Sequence, residues 1–208
     1  MNEVLKCLKE RRSVRKYRSE QIKDSELEQI LEAGTYAPTG MGMQSPIMVA
    51  VQDPETIAKL SKMNAAVMGV TSDPFYGAPT VIVVLADRSR GTYVEDGSLV
   101  MGNLMNAAYS IGVDSCWIHR AKEVFESEEG QALLKEWSIE GDYIGIGHCI
   151  LGYRDGELPK AKPRKENYIY IVKLIRSEVK GRESLIFRGF SGFLKKIKKI
   201  EKKLLTFI

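Results

Sequence analysis

The feature that most constrains the fold is a continuous apolar segment at residues 80–86, TVIVVLA. A strand with one face exposed to solvent alternates apolar and polar residues. An unbroken β-branched run is instead typical of a strand covered on both faces. The segment therefore predicts a central strand in a sheet that has helices packed on each side.

The patterns around this segment predict the other elements. Apolar periodicity indicates helices at 2–11, 25–34, 53–63, 93–111 and 122–137, and strands at 47–51, 113–118, 143–151 and 168–174. Helices and strands interleave without internal repeats, so we expect an α+β or α/β sheet packed by helices. The helix at 93–111 is rich in small residues, which suits close packing in the middle of a fold or a dimer.

Local signals predict where some of these elements begin and end. The run Ser25-Glu26-Leu27-Glu28 has a capping-box pattern that opens the second helix. Asp53-Pro54 supplies an N-cap and a proline in the first helical position. The segment at 37–42, APTGMG, cannot continue a helix and is predicted to be a glycine-rich loop.

The charge of the chain is unevenly distributed. Residues 175–208 carry ten Lys/Arg against three Asp/Glu, whereas residues 1–174 carry 21 against 24. A mildly acidic body argues against nucleic-acid binding. We therefore expect one compact domain at 1–174 and a basic amphipathic C-terminal extension at 175–208.

The extension has a helical apolar stripe with lysines on the opposite face. Basic amphipathic helices lie on anionic membranes or dock into a partner's groove. The alternative, which we favour, is that the stripe packs on the protein's own dimer and leaves the lysines in solvent. The stripe consists of Phe190, Phe193, Leu194, Ile197, Ile200, Leu204 and Ile208.

The cysteines indicate a reducing compartment. Cys7, Cys116 and Cys149 are odd in number and lie in apolar segments without disulfide or metal spacing. The sequence also shows no run of about 20 apolar residues and no apolar secretory signal. We expect reduced, buried cysteines and a cytoplasmic protein.

Two basic clusters predict a phosphate site. Arg11-Arg12-Ser13-Val14-Arg15 places three guanidinium groups and a hydroxyl within five residues, and Lys162-Pro163-Arg164 follows much later. Such groups can give several charge-assisted hydrogen bonds to one phosphate. Taken alone, each cluster favours solvated surface charge, and the phosphate interpretation depends on the motifs that follow.

The side chains supply no recognisable catalytic apparatus. The chain has neither a Gly-x-Gly-x-x-Gly motif after its first strands nor a P-loop, and its two histidines lack ligand partners at metal spacing. No serine or cysteine has a convincing partnered base. We therefore predict no catalytic side chain and no metal site, and expect a bound cofactor to carry the chemistry.

Over residues 1–174 the chain resembles the nitroreductase family of flavin enzymes. The resemblance rests on five motifs in order: Leu8 to Tyr17 (LKERRSVRKY), Ala37 to Gly40 followed by Gln44, Phe75 to Pro79 (FYGAP), Ala107 to Val113 (AAYSIGV), and Leu151-Gly152-Tyr153 with Lys162-Pro163-Arg164. The chain departs from the family at Gly42, where asparagine is common, and at Ser45, which separates Gln44 from Pro46.

The resemblance implies an α+β fold with a central, mostly antiparallel sheet, and an intertwined homodimer with FMN at its interface. It implies that Arg11, Ser13, Lys162 and Arg164 hold the FMN phosphate. Arg12 either joins them or forms a surface or dimer salt bridge. The remaining implied contacts are Arg15 and Asn64 at the pyrimidine edge and the backbone of Pro38, Thr39, Gly40 and Gly42.

The function implied is an FMN-dependent oxidoreductase with a ping-pong cycle, in which NAD(P)H reduces the flavin and a nitroaromatic, quinone or related small acceptor reoxidises it. Met41, Met43, Phe75 and Tyr76 are candidates to line the substrate pocket, with ordinary core or dimer packing as the alternative. A second hypothesis is a flavin-binding interaction protein whose basic extension docks on a membrane or a partner.

Overall fold

The computed structural model describes residues 1–172, 174–176 and 185–187. The chain divides into two compact units, Met1–Ala161 and Lys162–Ile208. The predicted boundary at residue 174 stays a prediction, and the apolar stripe at 190–208 lies outside the described residues.

A four-stranded antiparallel sheet forms the centre of the first unit. Its strands are β1 (Pro46–Val51), β2 (Thr80–Asp87), β3 (Asp114–Ile118) and β4 (Tyr143–Gly152), in the order β1-β2-β4-β3. In the register, Val83 pairs with Val49 on one side and with His148 on the other. The predicted α+β class and antiparallel sheet are confirmed.

The described residues include six α-helices, of which α1 packs mainly against α4 rather than against the sheet. They are α1 (Glu3–Glu10), α2 (Asp24–Thr35), α3 (Pro54–Met68), α4 (Tyr93–Ser110), α5 (Ala121–Glu126) and α6 (Glu128–Glu136). The second unit contributes a two-stranded ladder of β5 (Leu174–Arg176) and β6 (Leu185–Phe187). No helix among the described residues is long and apolar enough to cross a membrane.

The central strand β2 is buried on both faces, as its sequence predicts. Val81, Val83 and Leu85 pack in one core cluster with residues of α3, α5 and α6. The alternate residues of β2 pack in a second cluster with α2 and α4. Each fully buried side chain of this kind contributes about 1.5–3 kcal/mol, so β2 stabilises the contact of the sheet with both helical layers.

The three cysteines are free. Cys116 belongs to the first core cluster and Cys149 to the second, so the sheet separates the two thiols. Cys7 is only half-buried, and its thiol lies 3.3 Å from the backbone oxygen of Asn106.

The helix starts are set by short-range hydrogen bonds. Asp53 caps α3 as predicted, because its Oδ2 accepts from the Thr56 N–H at 2.8 Å. The capping box of α2, by contrast, lies two residues earlier than predicted. Lys23 is the N-cap and its N–H donates to the Glu26 carboxylate at 2.9 Å, so Ser25 is already inside the helix.

The predicted helix at 122–137 is wrong, because the chain forms two helices there. Ser127 ends α5 and caps α6, since its Oγ accepts from the Gly130 N–H at 3.1 Å. The turn brings the backbone of Gly130 against the carbonyl of Val124, where a Cβ would collide. The apolar pattern does pause here, since residues 126–131 read ESEEGQ, and Ser127 with Gly130 was the signal that the prediction overlooked.

The predicted strand at 168–174 is also wrong in its bounds. Tyr168, Ile169, Tyr170, Ile171 and Val172 are exposed and belong to no strand, and β5 begins only at Leu174. Alternating apolar residues indicate that a segment can form a strand, but pairing also needs a neighbouring strand.

Candidate cofactor-binding site

The first basic cluster runs along the sheet edge at β3. Arg11 ends α1, with its N–H donating to the Cys7 carbonyl at 2.9 Å. Ser13 then forms a parallel bridge with Ser115 of β3, and the Val14 N–H donates to the Ser115 carbonyl at 3.0 Å. Since Val14 is buried in the core, extended backbone turns Arg11, Ser13 and Arg15 to the opposite side.

Three side chains of the first basic cluster act on the thiol of Cys116. Burial raises the pKa of Cys116, while Arg15, the Ser13 hydroxyl and Arg11 act in the opposite direction. Ser13 itself lies against β3 through its bridge to Ser115.

Two buried guanidinium nitrogens in this region have no hydrogen-bond partner among the described residues. They are Nη1 of Arg11 and Nε of Arg12. The hydroxyl of Ser115 in β3 is also buried and has no partner among these residues. A buried donor without an acceptor is costly, and more so when it is charged. A dianionic phosphate would supply acceptors of the right charge, so the residues fit the phosphate of FMN.

Arg12 is partly committed elsewhere. Its Nη1 donates to the backbone carbonyls of Lys9 at 2.8 Å and Arg11 at 2.6 Å. The rest of its guanidinium group retains the unpartnered Nε. The predicted contact of Arg12 with the phosphate stays a prediction. Because Nη1 is already engaged, the contact would have to use the rest of the guanidinium group.

The second basic cluster opens the second compact unit. Lys162 and Arg164 are both exposed, and Arg164 Nη2 donates to the Lys162 carbonyl at 3.0 Å. Their phosphate role stays a prediction.

The predicted glycine-rich loop is confirmed and contains a tight turn at Gly40–Gly42. Pro38 is exposed and Thr39 half-buried, and the turn is closed by a bond from the Gly42 N–H to the Thr39 carbonyl at 3.0 Å. Asp96 of α4 holds the loop, because its carboxylate accepts from the Gly40 N–H at 2.9 Å. Sequence reasoning missed Asp96, because Glu95 beside it is equally acidic and no local pattern distinguishes the two.

Asn64 lies in the core and is fully buried. Its Nδ2 donates to the His119 carbonyl at 2.7 Å, and its Oδ1 accepts from Arg120 Nε at 3.1 Å. A contact with the flavin edge would require a ligand to reach this fully buried amide. The predicted contact stays a prediction, and the structure gives Asn64 a separate internal role.

The four proposed pocket residues are not equivalent. Met41 is 94 % exposed, and Met43 and Tyr76 are also exposed. Phe75 is instead a core residue, with its ring centroid 5.2 Å from that of His148. A cleft of about 950 Å³ lies between α3 and residues 70–79, and none of the predicted cofactor residues lines it.

The described residues contain no group of three or more His, Cys, Asp or Glu side chains that could hold a metal ion. The first basic cluster offers cationic and hydroxyl donors near the β3 edge, and a phosphorylated organic cofactor would suit such donors. The protein is of the α+β class.

Comparison with known proteins identifies the class further. The sequence model described as "Nitroreductase family" matches residues 8–71 and 64–153. This chain therefore belongs to the nitroreductase family. A relative from Archaeoglobus fulgidus, provisionally named an NADH dehydrogenase/NAD(P)H nitroreductase, is 31% identical over 173 residues, which are 81% of this chain and 91% of that protein.

Solved structures give the same result. The crystal structure of a nitroreductase with bound FMN from Bacteroides fragilis has a TM-score of 0.77 and 32% identity, and covers 83% of this chain and 100% of that chain. A nitroreductase with bound FMN from Desulfitobacterium hafniense has a TM-score of 0.74 and 26% identity, with 82% and 99% covered.

Proposed function

We propose that this protein is an FMN-dependent NAD(P)H oxidoreductase that reduces small acceptors of the nitroaromatic or quinone class in a ping-pong cycle. The observation that carries the proposal is the two buried nitrogens Arg11 Nη1 and Arg12 Nε, which have no partner among the described residues and belong to the segment whose Ser13 bridges to β3. The FMN-bound relatives from Bacteroides fragilis and Desulfitobacterium hafniense support the choice of cofactor.

Different residues contact different parts of the cofactor in this proposal. Arg11 and Ser13 hold the phosphate, with Arg12 Nε, Lys162 and Arg164 as further donors. Arg15 places a positive charge near the pyrimidine edge, and the backbone of 38–42 lies against the ring. When bound, FMN supplies the hydride and electron chemistry that the side chains lack.

We also propose a homodimer. Helix α1 buries none of its residues and leaves Val4, Leu5 and Leu8 at least half exposed. Val94 and Leu99 of α4 are exposed apolar residues as well. A second copy would cover these faces, and sedimentation at micromolar concentration should show a dimer; a stable FMN-loaded monomer would overturn this assembly.

The first test is the visible spectrum of the purified protein, which should show noncovalently bound flavin. Arg11→Ala should weaken FMN binding roughly ten- to a hundredfold, because one charge-assisted phosphate contact contributes about 1.5–3 kcal/mol. Arg88→Ala is the matched control, since Arg88 already pairs with Glu126 and Asp142. Equal FMN affinity in the Arg11 variant and the wild type would place the phosphate elsewhere.

A steady-state assay separates this proposal from its alternative. An oxidoreductase should oxidise NADH or NADPH faster when a quinone or nitroaromatic acceptor is added. A flavin-binding interaction protein that acts through its basic extension should bind FMN without this turnover. The cysteine content is the basis for proposing a cytoplasmic location.

A further inference from the structure

The carboxylate of Asp96 is the centre of a buried hydrogen-bond network. It lies in the first turn of α4 and is 2 % exposed. Its Oδ1 accepts from the Gly40 N–H at 2.9 Å, and its Oδ2 accepts from Ser45 Oγ at 2.7 Å and Thr92 Oγ1 at 3.2 Å. Burial alone would raise the pKa of Asp96, but the hydrogen bonds from Gly40, Ser45 and Thr92 hold it below its usual value.

The segment held by this carboxylate is strained. Between Gly40 and Ser45, φ is +52° at Met41, +68° at Gly42 and +48° at Gln44. Side chains with a Cβ rarely adopt this region, so Met41 and Gln44 keep it only because surrounding contacts impose it.

The contacts that impose it are few and specific. The Gln44 N–H donates to Thr39 Oγ1 at 3.1 Å, and the Met43 N–H donates to the Gly40 carbonyl at 3.1 Å. Gly40 lies directly against Thr92, where a Cβ would collide. One carboxylate thus joins both ends of the strained segment, through the Gly40 N–H at one end and the Ser45 hydroxyl at the other.

We infer that Asp96 is a positioning residue that sets the backbone of the 40–45 loop against the flavin ring without touching the flavin itself. The inference rests on the proposed function, which places the backbone of 38–42 at the ring. Its physical basis is that a buried charged acceptor holds two donors far more rigidly than a neutral one. Loss of the charge should let Met41 and Gln44 relax to ordinary backbone angles and move the loop relative to the ring.

The test compares two isosteric changes in buried carboxylates of the FMN-loaded protein. Asp96→Asn removes the charge, and its amide can keep an oxygen toward the Gly40 N–H only if its NH2 group faces the Ser45 and Thr92 hydroxyls, which must then accept instead of donate. Asp114→Asn is the control, because Asp114 is equally buried but pairs with Arg154 at 2.9 Å. The readouts are the absorption and circular dichroism bands of bound FMN, its reduction potential and its Kd.

We expect Asp96→Asn to shift the flavin bands and the potential and to raise the FMN Kd roughly tenfold. Asp114→Asn should keep all three at wild-type values even if it lowers the melting temperature. Wild-type bands, potential and Kd in a folded Asp96→Asn protein would overturn the inference and leave the proposed function standing. A wild-type protein that binds no FMN would overturn both.

A milder variant covers the case in which Asp96→Asn does not fold. Ser45→Ala removes one of the two end contacts and leaves the charge with its Gly40 and Thr92 donors. Ser45→Ala should shift the flavin bands and the reduction potential less than Asp96→Asn does. A folded Ser45→Ala protein with unchanged bands and potential, alongside an unfolded Asp96→Asn protein, would show that the network serves stability alone and would overturn the inference.

Discussion

Arg120 and Asn64 are joined by a hydrogen bond of 3.1 Å from the arginine Nε to the amide Oδ1. Arg120 has a left-handed backbone, with φ at +72°, at the connection between β3 and α5. Asn64 also donates to the carbonyl of the preceding residue, His119. The Asn64 side chain of α3 therefore holds the strained connection between β3 and α5 through two hydrogen bonds.

Asn64→Ala should consequently lower the free energy of unfolding by about 1–3 kcal/mol. The change removes the hydrogen bonds that the buried Asn64 amide makes with the His119 carbonyl and with Arg120, and each such bond contributes about 0.5–1.5 kcal/mol. Denaturant unfolding measures the loss, and Asn103→Ala, which removes a single bond to the Ala33 carbonyl, is the control. A parallel FMN titration tests the predicted flavin contact, and unchanged affinity would remove Asn64 from the cofactor site.

The buried ring of His148 predicts acid sensitivity. Complete burial lowers the pKa of His148 to about 3, from 6.5 in the unfolded chain. Between pH 6.5 and 3 the unfolded state therefore binds a proton that the folded state does not, and stability falls as the pH is lowered through this window. One proton gives a slope of at most about 1.4 kcal/mol per pH unit.

Urea unfolding at pH 7, 5 and 4 measures this slope. His148→Gln should remove the contribution and flatten the decline below pH 6.5. His119→Gln should retain it, because the His119 side chain is exposed. Identical slopes in wild type and His148→Gln would show that other groups cause the acid loss.

The parts of this protein that sequence predicted well are those set by local chemistry. The buried run at 80–86 and the Asp53-Pro54 cap depend on residues adjacent in the chain, and both are confirmed. The break at Ser127 was overlooked although Ser127 and Gly130 signalled it, and its geometry follows from α6 packing against α5. Strand formation at 168–172 was wrong because an alternating pattern does not specify a pairing partner.

In the candidate site, too, features set by adjacent residues were predicted and features set by long-range packing were not. The basic motif was visible in sequence because its residues are consecutive, and alternation along extended backbone puts Arg11, Ser13 and Arg15 on the side opposite to the buried Val14. The link between Gly40 and Asp96 spans 56 positions, and no local pattern marks it. The internal bonds of Asn64 likewise depend on the packing of α3 against the β3–α5 connection.

Arg15 should tune the flavin if its charge lies near the pyrimidine edge. Arg15→Gln is then expected to lower the reduction potential of bound FMN and slow its reduction, because a nearby cation stabilises the anionic reduced flavin. Phosphate-based binding should be largely retained. Lys16→Gln is the control, since Lys16 is engaged by Asp155 at 2.6 Å. A wild-type potential in the Arg15 variant would place its charge away from the ring.

The basic extension should be dispensable for the cofactor, because every residue assigned to FMN lies at or before Arg164. A cut at Arg176 would also remove β6, the partner of β5, so deletion of 190–208 is the cleaner experiment. If the apolar stripe packs on the dimer, the shortened protein should keep FMN and reductase activity, melt at a lower temperature, and behave like the full chain toward anionic vesicles.

Salt-sensitive vesicle binding by the full chain alone would instead support a membrane-surface helix, because salt screens the attraction of its lysines. Loss of FMN on deletion would contradict the assignment most directly, since the extension would then complete the cofactor site.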